Sequence, residues 1–128
     1  MSIRLTFHGA ARSVTGSCYR LETDISKIVI DCGMFQGSKT ERELNYRAFP
    51  FAPDHLGAVL LTHAHIDHSG LLPKLVKQGF TKKIHCTQAT RDLCGIMLPD
   101  SGFIQEMEVR QLNPRRLKRG QKEVEPIY

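Results

Sequence analysis

Four side chains with metal-binding chemistry fall within six positions of this sequence: His63, His65, Asp67 and His68. His63 and His65 are two apart, so on extended backbone both imidazoles project to the same side. Asp67 and His68 follow where the chain must turn into its next element. Nitrogen donors with one carboxylate suit zinc, and also manganese or iron, better than the oxygen-only shell that calcium prefers. Four donors this close do not easily all close around one ion, whereas two adjacent ions can divide them. Two ions about 3.5–4 Å apart could share a hydroxide and clamp an in-line displacement at a phosphate or a carbonyl. The plainer reading is a polar helix cap at Ser69 or Asp67. It accounts for Asp67 but leaves three histidines on one edge without a reason.

Other elements must position that run. Residues 58–62 are apolar or β-branched, as a buried strand would be, and deliver the ligands to its C-terminal end. Upstream, Ile3, Leu5 and Phe7 alternate with Arg4 and Thr6, the pattern of a half-buried strand. A loop of small residues, 9–17, separates it from a second strand at 18–22. Thr23 and Asp24 have turn chemistry before a third strand at 27–32. Residues 40–46 read as a helix starting near Ser38 or Lys39, and the prolines at 50 and 53 demand extended chain.

After Gly70, Leu71, Leu72, Leu75 and Val76 recur at helical spacing, with Lys74 and Lys77 on the other face and Gly79 just past the end. Residues 82–87 read as a fifth strand, and a helix from Thr87 or Gln88 carries Leu93, Ile96 and Met97. Pro99 to Gly102 is expected to interrupt that helix, and Asn113-Pro114 to end its continuation over 103–112. Strands first, then alternating strand and helix, predict an α/β fold: a mixed β-sheet with helices packed on one face.

The length of 128 residues supports one domain with a modest core. Hydrophobic content of 41% and charged content of 24% are those of an ordinary globular protein. No apolar run approaches the ~20 residues that span a bilayer, and the N-terminus lacks the pattern of a signal peptide. No membrane role and a cytoplasmic location are therefore expected. Cys18, Cys32, Cys86 and Cys94 form no CxxC pair and are expected to be reduced and mostly buried. The formal charge is +5, and from Arg110 to Lys122 six basic residues occur without an acid. A polyanionic partner fits that stretch, and so does a solvated helix end.

The run 62–70, Thr-His-Ala-His-Ile-Asp-His-Ser-Gly, resembles the HxHxDH motif of the metallo-β-lactamase superfamily. Gly9-Ala10 with Val14 to Ser17, and Ile30-Asp31-Cys32-Gly33 with Met34 to Gly37, resemble the N-terminal part of its β-CASP branch of RNA-processing nucleases. The resemblance implies a partial αββα sandwich whose second half lies outside this chain. It implies that His63 and His65 bind a first ion, and Asp67 and His68 a second, two zinc ions in the complete site. Asp31 would act from behind as an orienting residue and Asp67 would help orient the attacking hydroxide or take its proton. The implied reaction is hydrolysis of phosphodiester bonds in RNA, with a metal-bound hydroxide as nucleophile.

The family's later motifs, a Gly-His histidine and a bridging aspartate, have no counterpart here, since His85 lies inside a strand. The expectation is that residues 1–128 are the N-terminal part of one metallo-β-lactamase-fold domain, with no second domain in this chain. Each ion would then keep two protein ligands, so this segment alone should bind metal weakly and cleave RNA poorly. Half a sandwich also leaves a sheet face open to self-association or to a completing segment. The alternatives are an ester or thioester hydrolase of the same fold, and a non-catalytic interaction module with a partial metal site.

Overall fold

The computed structural model describes residues 1–128. Five strands form one mixed sheet in the order β1-β2-β3-β4-β5. The strands β1 (Ile3–Phe7), β2 (Tyr19–Thr23) and β3 (Lys27–Ile30) form an antiparallel meander. β4 (Ala58–Leu60) and β5 (Lys83–His85) then add in parallel beside β3. The crossover from β3 to β4 carries α1 (Lys39–Glu43) and two 3₁₀ turns, and that from β4 to β5 carries α2 (Ile66–Ser69) and α3 (Leu72–Lys77). A single long helix, α4 (Gln88–Lys118), follows. The α/β reading with a mixed sheet is thus what the chain adopts.

Local chemistry accounts for the short elements. Ser38 caps α1 reciprocally: its Oγ accepts from the Glu41 N–H while the Glu41 carboxylate accepts from the Ser38 N–H. Gly79 ends the α3 segment at φ +112, a conformation that side chains rarely adopt.

The core lies on one face of the sheet. Val29 and Val59 are fully buried there against Leu71, Leu72, Leu75 and Phe80. The register places Leu5, Leu21, Ile28 and Ala58 in one row on the opposite face, beside Phe7, Tyr19, Ile30 and Leu60. That face is not covered: Ile3, Leu5 and Phe7 remain 65%, 47% and 57% exposed. Their alternation correctly groups them, but β1 is not half-buried in this chain.

Two expectations are corrected. Lys74 is not on the solvent face of α3; it is 4% exposed and donates to the carbonyls of Asn45 (2.7 Å) and Arg47. Burial lowers the pKa of its ammonium group. It ties α3 to the 3₁₀ turn Leu44–Tyr46, whose carbonyl groups need donors.

The second correction concerns α4, which neither Pro99 nor Pro114 breaks. A proline removes one N–H and crowds the carbonyl four residues back; behind Pro99 that residue is Gly95, which has no side chain to add to the crowding. The C-terminal segment then runs back along the helix and straps it. Arg116 Nε donates to the Lys122 carbonyl, Asn113 bonds Val124 through both amide atoms, Gln105 accepts from the Ile127 N–H, and the Tyr128 hydroxyl donates to Ser101. These ties reach both sides of Pro114 and begin two residues beyond Pro99. No helix is long and apolar enough to cross a membrane.

Candidate metal centre

The site forms where β3 and β4 end side by side. Asp31 directly follows β3, is 3% exposed, and holds φ at +60. A non-glycine residue in that region is strained, and here the strain turns the carboxylate across to the neighbouring chain end. Asp31 Oδ1 accepts from the Thr62 N–H at 2.8 Å. Asp31 Oδ2 accepts from the Thr62 hydroxyl at 2.8 Å and lies 2.7 Å from His68 Nδ1.

These contacts order the imidazoles. An ionised carboxylate only accepts, so His68 Nδ1 carries the hydrogen and Nε2 presents its lone pair. The Thr62 hydroxyl spends its hydrogen on Asp31, so at 2.9 Å from His63 Nδ1 it acts as an acceptor. His63 therefore also presents Nε2. One buried carboxylate thus leaves Nε2 as the free nitrogen of both rings, directly in His68 and through a threonine in His63. Asp31 contacts both Thr62 and His68, and Thr62 is an addition to the residues singled out from sequence: its one legible signal is a hydroxyl immediately before the first histidine.

The structure gathers the four expected ligands at this one place. The His63 ring lies 4.7 Å from that of His65 and 4.1 Å from that of His68, centre to centre. Asp67 Oδ2 is 3.5 Å from His68 Nε2. No three His, Cys, Asp or Glu side chains converge closely enough to enclose a single ion. The donors fit part of a divalent-metal site: nitrogen-rich, with one carboxylate, and incomplete around any one ion.

The ligand turn is held by main chain. Ser17, Cys32 and Met34 donate their N–H groups to the carbonyls of Asp67 (2.9 Å), His68 (2.9 Å) and Ile66 (3.0 Å). Gly33 makes this approach possible, because a Cβ there would sit 1.6 Å from the Asp67 oxygen. Gly9 packs as tightly on Gly16, where a Cβ would lie 1.8 Å from the carbonyl oxygen. The two glycine-bearing segments are therefore the cradle of the ligand turn. Ser69 completes it from below, donating its hydroxyl to the Ala64 and His65 carbonyls.

The remaining histidines stand apart. His8 packs on Phe51 with ring centres 5.1 Å apart and planes tilted by 50°, and burial, then the nearby Arg20 charge, lower its pKa. His55 is exposed and His85 sits in β5. Among the cysteines, Cys18 and Cys32 are buried, Cys94 is half-buried and Cys86 is exposed, and all four are free thiols.

Residues 12–120 match the family model of the metallo-beta-lactamase superfamily. The chain is 46% identical over 99 residues to Ribonuclease TTHA0252 of Thermus thermophilus, covering 77% of this chain and 22% of that protein. It is 34% identical over 110 residues to Transcription termination factor FttA of Methanocaldococcus jannaschii, covering 86% of this chain and 17% of that protein. It thus spans about a fifth of the length of these relatives. Among solved structures, the short form of human tRNase Z aligns at 25% identity with a TM-score of 0.45, over 76% of this chain and 40% of that one.

Proposed function

The chain belongs to the metallo-β-lactamase superfamily, and on that premise we propose that it is the N-terminal part of a metal-dependent phosphodiester hydrolase acting on RNA, of the β-CASP type. The observation that carries this reading is the Asp31 network, which turns His63 and His68 into Nε2 ligands beside Asp67. A ribonuclease among the relatives, 46% identical, supports RNA as the substrate, and with it a cytoplasmic site of action.

His63, His65, Asp67 and His68 would hold the metal, zinc by donor chemistry with manganese or iron as the other candidates, and two ions in the complete site. A bound divalent cation supplies Lewis acidity, acidifying water and neutralising charge on phosphate oxygens. The chain's own residues do the rest. Asp31 fixes the tautomer and direction of His68 and, through Thr62, of His63. Asp67, beside His68 Nε2, orients the attacking water and takes its proton. Residues 1–128 form the N-terminal part of the catalytic domain, and the further ligands come from the rest of the protein.

The test is cleavage of end-labelled RNA by the full-length protein in zinc or manganese, beside His63→Ala and Asp67→Ala variants and with a thioester and a lactone as rival substrates. RNA cleavage abolished by either substitution supports the reading. Thioester or lactone turnover with RNA left intact overturns it. For residues 1–128 alone, weak zinc binding and no efficient cleavage are expected, and robust cleavage would refute the incomplete-site account.

A further inference from the structure

Away from the histidines, α1 and the 3₁₀ turn after it face the C-terminal half of α4 across an open groove of about 760 Å³. Lys39 and Arg42 stand on one wall, and Arg115, Arg116 and Arg119 on the other. Two of these cations are already engaged: Lys39 lies 4.0 Å from Glu43, and Arg116 is bonded to the Lys122 carbonyl. Arg42, Arg115 and Arg119 have no carboxylate partner.

Cations in the last turn of a helix are favoured by its dipole, which would explain Arg115 and Arg119 without any ligand. It does not explain Arg42, which stands on a different element and lines the same hollow. Tyr46, 48% exposed, adds an aromatic side chain to the wall that carries Arg42.

The groove also leads somewhere. Arg42, Tyr46 and Glu108 line a second hollow of about 530 Å³ as well, which continues past Phe35 and Gly37 to Ile66. Ile66 begins the same short helix that contains Asp67 and His68. Along α4 the two hollows run from Arg119 back to Met97; at 1.5 Å per residue those 22 steps (119 − 97) cover roughly 33 Å. That is room for several nucleotides and more than a small molecule needs.

We propose that this groove is the entry track for the backbone of single-stranded RNA, with Arg42, Arg115 and Arg119 on its phosphates and Tyr46 stacked on a base. The proposal rests on the RNA reading above and adds the path by which the strand reaches the metal centre. Arginine forks suit phosphate oxygens, and an aromatic face serves only an unpaired base.

The experiment uses the full-length protein and fluorescein-labelled oligouridylate, followed by anisotropy over a range of salt. The triple variant Arg42→Gln, Arg115→Gln, Arg119→Gln should bind at least tenfold more weakly. Its slope of log affinity against log salt should be shallower by about 2, since each lost phosphate contact on a single strand removes about 0.7. A charge-matched control, Lys77→Gln, Lys82→Gln, Lys83→Gln, should bind as the unmodified protein does, and Tyr46→Ala should weaken binding without changing the slope. Circular dichroism melts confirm that each variant folds, and Arg→Lys at the three positions should restore most of the salt slope.

Equal binding by the groove triple and the unmodified protein, or equal loss in the control, overturns the proposal. So does groove-dependent binding of a duplex of the same length as tightly as the single strand. Failure of the broader reading looks different: the protein cleaves no RNA in any divalent metal while oligouridylate still binds through the groove.

Discussion

The Asp31 carboxylate lies 2.7 Å from Nδ1 of His68, across a sequence separation of 37 residues. Through that one contact the end of β3 governs which nitrogen the ligand turn offers. Asp31→Asn preserves size but places an amide where a carboxylate accepts three hydrogen bonds. Zinc affinity of the full-length protein should fall by about 10–100-fold. Competition against a chromophoric chelator measures it, and an unchanged affinity would remove Asp31 from the site.

Gly33 is the tightest point of the cradle, with the Asp67 carbonyl occupying the place of its missing side chain. Gly33→Ala should destabilise the chain by about 1–3 kcal/mol, because the neighbour is backbone and yields only by moving the ligand turn. Urea unfolding gives the stability and metal titration the consequence. Loss of stability with metal affinity intact would mean that the turn is held elsewhere.

The strand order and the mixed sheet are legible in the sequence, and the features that are not share a cause. Alternation at Ile3, Leu5 and Phe7 tells which residues share a face but not whether anything covers it. Lys74 has the helical position of a surface lysine; its burial depends on carbonyl groups of residues 45 and 47, nearly thirty positions away. Pro99 and Pro114 are local helix breakers, overridden by a strap that joins α4 to residues 122–128. The clustering of His63, His65, Asp67 and His68, by contrast, is legible because the four are contiguous in sequence. Thr62 is not legible in the same way, because a threonine beside a histidine carries no signal until Asp31 arrives from another strand.

The capping box of α1 carries a pH dependence. Hydrogen bonds from Ser38, backbone first and hydroxyl second, hold the Glu41 carboxyl below its ordinary value of 4.5. The folded chain therefore binds fewer protons here than the unfolded one. The stabilisation is full above pH 4.5 and is lost as pH falls through the lower folded value. Glu41→Gln should lower the melting temperature at pH 7, and by progressively less as the pH falls below 4.5. A difference that persists in acid would assign the effect to packing instead.

The open sheet face should make residues 1–128 self-associate in isolation, since Leu5, Phe7 and Leu60 present an apolar surface. Sedimentation velocity over a concentration series should show larger species. Leu5→Lys with Phe7→Lys should return the chain to monomer. Monomeric behaviour of the unmodified chain at high concentration would count against an adhesive face.

The cradle around the ligand turn has a consequence for redesign. Ser17, Cys32 and Met34 hold Asp67, His68 and Ile66 by their amide groups alone. Any residue other than proline brings the same amide, so the identity of these three side chains is decoupled from the clamp they form. Met34 is only half-buried, so a library at position 34 could vary bulk behind the turn while leaving its anchorage in place, whereas Ser17 and Cys32 are buried and tolerate little change of size or polarity. Positions 9, 16 and 33, where nothing larger than hydrogen fits, would have to stay untouched.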